Sequence, residues 1–240
     1  MPSLMPYKSS LDYAYAPGVF PSMECMLNRP QDVRRLLLHS KAEGTEGAMK
    51  LTELAEKLHI RIEIADKALA RISQKENCFA AAVFSKFDDA LDDAKPHIVL
   101  HNPSDCGNVG TILRTALGFG IEDVAMVRPC VDVFDPRVVR ASMGSMFQLR
   151  LHVYDSFDEY EQDHAGHKLY PFMLDGSRSL PDVLADPRPE KWTLVFGNEG
   201  SGLPAEFAQK GQPVRIPSNT RIDSLNLSIA AAIGIYEFTR

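Results

Sequence analysis

Ile98-Val99-Leu100-His101-Asn102-Pro103-Ser104-Asp105-Cys106-Gly107-Asn108-Val109-Gly110-Thr111-Ile112-Leu113-Arg114 is the stretch on which the reading of this 240-residue chain turns. An apolar run at 98–100 ends in a polar turn, and the pattern predicts a helix opening near Asn108. Asparagine is a favoured N-cap residue, and Gly110 lets another backbone approach the first helical turn. A short strand that hands over through a polar turn to a helix is the building step of α/β proteins, which place their sites at such strand ends. Arg114 lies less than two helical turns beyond Asn108 and, as a planar fork of donors, suits a phosphate. The spacing equally fits a capped structural helix with Arg114 in solvent.

Two further junctions of the same kind follow. Phe196-Gly197-Asn198-Glu199-Gly200-Ser201-Gly202-Leu203 continues an apolar strand, and its clustered glycines mean unusual backbone conformations or a close approach by another group. A carboxylate in the middle of such a run makes Glu199 the best functional carboxylate of the chain, with helix capping before Leu203 as its structural alternative. Ile216-Pro217 leads to Ser224-Leu225-Asn226 and then into an apolar helix, which should be buried against a partner as well as the sheet. As an N-cap, Ser224 would be explained and Asn226 would not.

Around these junctions, strands at 97–100, 124–127, 169–174, 193–196 and 214–216 alternate with helices at 109–119, 136–143, 180–184, 204–209 and 225–239. Strands that are apolar without strict alternation belong to a parallel sheet covered by helices. Upstream, the pattern gives a short helix plus strand at 28–39, a helix at 50–58 with Thr52 near its start, a strand at 60–64, a helix at 66–73 and a strand at 79–84. Residues 1–20 read as a loose arm and the acidic, proline-terminated run 88–96 as a linker. The expected division is an arm (1–20), a small α/β domain (21–94) and a larger α/β domain (95–240).

With 45% apolar and 24% charged residues the composition is that of an ordinary globular protein. The net charge of −6 argues against nucleic-acid binding by bulk electrostatics, while leaving room for a local basic patch. Cys25, Cys78, Cys106 and Cys130 form no CxxC pair, which speaks against zinc or a disulfide framework and for a reducing cytoplasm. Neither a signal peptide nor a membrane span is expected. His164-x-x-His167 has metal-pair spacing but no third ligand near it in a segment, 155–167, that reads as solvated surface, so no metal is expected. A dinucleotide-binding reading lacks GxGxxG, the Walker lysine and the acidic residue after a second strand. His101 and Arg140 are open between substrate contact and plain surface.

In order and spacing, the three junctions resemble the three motifs of the SpoU/TrmH family of RNA ribose 2′-O-methyltransferases, of the SPOUT class. The resemblance covers roughly 96–240, and the preceding unit resembles the family's small ribosomal-protein-like RNA-recognition domain. Departures are Asn77-Cys78-Phe79 in place of a His-Gln-Gly-like turn, and His101-Asn102-Pro103 where many relatives have an acidic residue. The resemblance implies a parallel-sheet domain with a deep trefoil knot, S-adenosyl-L-methionine as cofactor, a homodimer, and ribosomal RNA somewhat ahead of transfer RNA as substrate. It implies cofactor contacts by Leu174, Asp175, Gly176, Phe196, Gly197, Ile216 and Leu225, and RNA or catalytic roles for Asn108, Arg114, Glu199, Ser224 and Asn226. The competing class is an RNA-binding or assembly factor that keeps the fold without catalysing transfer.

Overall fold

The computed structural model describes residues 4–72, 78–219 and 221–240. In chain order the elements are β1 (Tyr13–Pro17), α1 (Val19–Asn28), β2 (Val33–Leu38), α2 (Glu46–Lys57), β3 (Ile62–Ile64), α3 (Asp66–Ile72) and β4 (Ala80–Ser85). Then follow β5 (His97–His101), α4 (Cys106–Gly118), β6 (Asp123–Val127), α5 (Pro136–Ala141), β7 (Arg150–Tyr154), α6 (Phe157–Asp163) and β8 (Lys168–Pro171). The chain closes with β9 (Arg178–Ser179), α7 (Leu180–Leu184), β10 (Trp192–Phe196), β11 (Val214–Arg215) and α8 (Leu227–Thr239).

The chain divides into two compact units, one of Met1–Phe87 with Asp132–Gln148, the other of Asp88–Val131 with Leu149–Arg240. This differs from a single cut near residue 95 in two ways. The acidic run expected to be a linker is bonded into the second unit: Asp89 donates its amide to the Leu151 carbonyl at 3.0 Å, and Asp92 donates its amide to Asp123 at 2.9 Å. Residues 132–148, amid the larger domain in sequence, pack with the first unit instead. Phe134 and Phe147 join Phe84 and Phe87 there, with Phe84–Phe147 and Phe87–Phe134 both edge-to-face at 5.0 Å.

In the first unit the sheet order is β1-β4-β2-β3, with β4 antiparallel to β1 and β2, and β3 parallel to β2. The arm expected at 1–20 is therefore part sheet, since Tyr13–Pro17 pairs along β4 and α1 starts at Val19. The helix expected from 50 starts four residues earlier, capped by Thr45, whose hydroxyl accepts from the Ala48 amide at 3.4 Å. The end of the helix expected at 66–73 and residue Asn77 lie outside the described residues.

The second unit holds a five-stranded sheet of order β7-β6-β5-β10-β8 in which every pairing is parallel. Central strands β5, β6 and β10 are buried almost throughout, which explains their unbroken apolar runs. On one face Val99, Val127, Val195, Tyr160 and Phe207 form a core cluster; α4 and α8 pack together, and α8 also packs against β10. A small parallel pair, β9 with β11, lies beyond β8.

Three expectations are corrected here. The segment 155–167 holds helix α6 and the turn after it, and it is two-sided rather than plain solvated surface: Phe157, Tyr160, His164 and His167 are buried while Asp158, Glu159, Gln162 and Asp163 stay exposed. The edge strand β7 had no counterpart in the sequence reading, and 204–209 is a 3₁₀ turn rather than an α-helix. The strand expected to run to 174 ends at Pro171, after which Phe172 bridges to Val214.

Candidate active site

The first junction closes at Asp105, which caps α4: its side chain accepts from the Asn108 amide at 2.7 Å. The expectation of Asn108 as cap is thus corrected, for the aspartate already fills that role and Asn108 sits within the first turn. Its side chain is thereby free for other work. Asn102, just before, has φ 55 and its Oδ1 is buried without a partner among the described residues.

The second junction supplies what binds this turn. Asn198 and Gly202 exchange backbone bonds of 3.1 and 2.9 Å, closing a tight loop that Asn198 Oδ1 stiffens by accepting the Gly200 and Ser201 amides. A Cβ on Gly197 would fall 2.2 Å from the Gly202 carbonyl carbon, so only glycine permits the closure. Glu199 then projects onto the first junction. Its Oε2 accepts from the Ser104 amide at 2.9 Å and hydroxyl at 2.6 Å, and its Oε1 from the Asp105 amide at 3.0 Å and Asn108 Nδ2 at 3.2 Å. Partial burial pushes the carboxyl up, but these donors outweigh it and hold the group down at about 2. The helix-capping alternative for Glu199 falls away, because its oxygens are spent on residues 104–108.

The third junction meets the same point. Asn226, not Ser224, caps α8, accepting the Ser228 amide at 2.9 Å and the Ile229 amide at 3.4 Å on Oδ1. Its Nδ2 donates to Asn108 Oδ1 at 3.0 Å. The direction of this chain is dictated from one end. A carboxylate only accepts, so Asn108 must turn Nδ2 toward Glu199 and Oδ1 toward Asn226, which leaves Asn226 Oδ1 for the helix amides. Asn108, Glu199 and Asn226 are thus brought together. Ser224 and Arg114 stand outside the set: both are exposed, and Arg114 has no hydrogen bond or ion pair among the described residues.

Backbone contacts gather most of the segments expected around a cofactor, the one at Leu225 excepted. Phe172 donates its amide to Val195 at 2.9 Å and Met173 to Val214 at 2.9 Å, while a Cβ on Gly176 would come within 2.6 Å of the Val214 carbonyl carbon. Residues 172–176, 195–197 and 214–216 therefore converge. Leu174 and Asp175 are exposed, Leu174 at 69%, with Ile216 and Leu225 half-buried.

Residues 95–236 match the SpoU rRNA Methylase family. The chain belongs to that family. Among its relatives, the 23S rRNA (adenosine(1067)-2′-O)-methyltransferase of Streptomyces laurentii is 30% identical over 202 residues, 79% of this chain and 73% of the relative. The fold is shared with an rRNA methyltransferase from Sinorhizobium meliloti, at TM-score 0.78 and 25% identity over 94% of this chain and 86% of the other. A structure concerned with the 2-OH methylation of C/U34 on tRNA aligns with TM-score 0.54 and 28% identity, covering 61% of this chain and 95% of that one.

In this SpoU family member, sequence reasoning missed Ser104, Asp105 and Asn198. The visible signal was Asp105 three residues before Asn108, an N-cap spacing as good as the one chosen. It also missed a partner for His164 and His167. His97 lies beside them, and the ligand atoms of all three fall within 4.8 Å of one another. Each ring nitrogen is nevertheless hydrogen-bonded: His97 to Tyr160 and the Asp92 carbonyl, His164 to Tyr154 and Asp93, His167 to Thr193 and the Asp93 carbonyl. The cluster is a satisfied polar core. Burial holds His97 down at about 4 and His167 below its ordinary value, so these imidazoles are neutral at pH 7.

Proposed function

We propose that this chain transfers a methyl group from S-adenosyl-L-methionine to a ribose 2′-hydroxyl of ribosomal RNA. The observation that carries the reading is the relay Glu199–Asn108–Asn226, which joins all three motifs at one place beside the helix that carries an unpaired arginine. Family membership supports the reaction class. Ribosomal RNA is favoured because the 23S rRNA relative aligns over 79% of this chain, whereas the tRNA-directed structure covers 61%.

The residues present fit such a cofactor. Three converging backbone segments offer peptide groups, and Leu174, Ile216 and Leu225 have exposed or half-buried apolar side chains that would face a purine. Leu174, Asp175, Gly176, Phe196, Gly197, Ile216 and Leu225 would hold it. When bound, it supplies an electrophilic methyl on a sulfonium, so the protein's task is alignment of the attacking oxygen. A guanidinium is a poor base and, as a planar fork of donors, a good phosphate grip, and Arg114 takes that role. It anchors the backbone next to the target ribose and polarises the hydroxyl. Asn108 and Asn226, locked in one orientation by Glu199, set the floor on which that ribose rests, and exposed Ser224 contacts the RNA at the entrance of α8.

Further parts of the reading are a deep trefoil knot, supported by the close approach of the backbone at Gly176 to Val214 and Arg215, and a homodimer. The dimer is supported by α8, which keeps Ile229 52% and Tyr236 48% exposed, with Phe119 at 5.7 Å from the Tyr236 ring. The first unit would recognise RNA, and the protein would work in the cytoplasm. No helix of the described residues is long and apolar enough to cross a membrane. The test is transfer of labelled methyl groups from the cofactor to unmodified ribosomal RNA. Arg114→Ala should cut the rate about a hundredfold or more while leaving the calorimetric affinity for the cofactor unchanged. Full transfer by that variant would refute the assignment.

A further inference from the structure

The first unit carries a groove unrelated to the three motifs. It opens between the outward face of α2 and strand β3, at the β3 edge of the sheet, and encloses about 580 Å³. Its apolar surface comes from Met49 on the helix and from Ile62 and Ile64 on the strand, with Met49 56% and Ile64 64% exposed. Its rim is acidic: Glu43, Glu53 and Glu56 line it. These carboxylates have no ion pair among the described residues, and no described lysine or arginine lines the groove. Met49, Glu53 and Glu56 recur at helical spacing, so one face of α2 presents both the apolar anchor point and the charge.

Other features carry less. The histidine cluster is fully hydrogen-bonded, and the exposed face of α8 belongs to the dimer reading. The groove differs because its two chemistries specify a partner. An exposed apolar trough marks an interaction site, and three uncompensated carboxylates repel a phosphate backbone while attracting lysine and arginine. We infer that this groove docks a short segment of a partner protein in which apolar side chains are flanked by basic ones. The apolar side chains seat on Met49, Ile62 and Ile64, and the basic ones pair with Glu43, Glu53 and Glu56. The unit proposed to face RNA would then have a second, protein-binding face, suited to the basic proteins that coat structured RNA. The inference does not depend on catalysis.

Fluorescence anisotropy with the full-length protein tests it. The probes are a labelled peptide of about twelve residues alternating leucine and lysine, its leucine–glutamate counterpart, and an RNA oligonucleotide of similar length. The basic peptide should bind with a dissociation constant in the micromolar range and the acidic one at least about tenfold more weakly. Met49→Ser, and separately Glu53→Lys with Glu56→Lys, should each weaken the basic peptide about tenfold without moving the melting temperature. If either variant loses stability, hydrogen exchange on the unmutated protein decides instead: the peptide should protect amides of α2 and β3. The inference fails if the basic peptide does not bind, if the acidic peptide binds as well, or if the exchange pattern of α2 and β3 is unchanged. It also fails if the RNA oligonucleotide displaces the peptide, or if Met49→Ser converts a dimer to a monomer, since the groove would then serve RNA or a second copy.

Discussion

Replacing Glu199 with glutamine removes one charge and puts a donor where an acceptor stood. In the native loop five donors converge on the two carboxylate oxygens, from the Ser104 amide and hydroxyl, the Asp105 amide, the Asn108 side chain and, at 3.5 Å, the Asn198 side chain. The amide NH₂ of glutamine must face one of these groups of donors. If it turns toward Ser104, the hydroxyl can rotate to accept but the Ser104 amide is orphaned. If it turns toward Asp105 and Asn108, the Asn108 amide must flip and break its bond to Asn226. A carboxyl held at about 2 against an ordinary 4.5 favours its anion by ~3.4 kcal/mol, and solvent screening at this partly exposed position reduces that to about 1–2 kcal/mol of stability. For a chain of this size that lowers the melting temperature by about 3–6 °C at pH 7. The pH dependence gives the sharper check. Because the folded-state value is depressed, the contribution is complete above 4.5 and is lost as pH falls through about 2. Circular-dichroism melts of both proteins should therefore show a constant gap from pH 8 to about 5 that closes toward pH 2. Methyl transfer by the variant should fall by at least about tenfold even where it is fully folded. A gap that is absent at pH 7, or that persists unchanged at low pH, would refute the charge-clamp reasoning.

Three further outcomes are expected. Gly197→Ala should destabilise the chain by about 3 kcal/mol or more, because its Cβ would sit 2.2 Å from the Gly202 carbonyl carbon with only backbone around it; denaturant melts would register this as a lowered midpoint. The buried His97 should make the protein lose stability between pH 6.5 and about 4, since the unfolded chain takes up a proton there that the folded one refuses; His97→Asn should flatten the melting curve over that interval. Ile229→Glu on the exposed face of α8 should give a monomer by sedimentation at micromolar concentration, and an unchanged assembly would place the interface elsewhere.

What the sequence made legible was local chemistry at strand ends. The alternation of short apolar runs with helical patterns gave the parallel sheet, and the glycine cluster around Glu199 gave the loop. The joining of Asn108, Glu199 and Asn226 was not derivable from spacing, because two of these residues lie over ninety positions from the first and only the fold brings them within bonding distance. Strand β7, Arg-Leu-His-Val-Tyr, has the polar–apolar alternation of a half-exposed edge strand, and it escaped because unbroken apolar runs marked the other strands of the sheet. His164 and His167, just after α6, read as surface because a polar residue in a core looks like one in solvent until its partners are known. Tyr160, Thr193 and the Asp93 carbonyl come from three separate places in the chain. Competition between neighbouring capping residues decided the helix starts, with Asp105 and Asn226 winning over Asn108 and Ser224.

The loan of residues 132–148 to the first unit has a consequence for how this protein comes into being. The polypeptide passes from one unit to the other at three points along its length, so neither unit is a continuous length of chain. During synthesis the N-terminal unit cannot be finished when its first 87 residues have emerged. Phe84 and Phe87 must wait for Phe134 and Phe147, by which time β5, α4 and β6 have also been made. The first unit is therefore complete only after the chain has entered and left the second. No single cut or gene fusion point can separate them: one after residue 87 splits the aromatic cluster, and one after residue 148 carries β5, α4 and β6 away with the first unit.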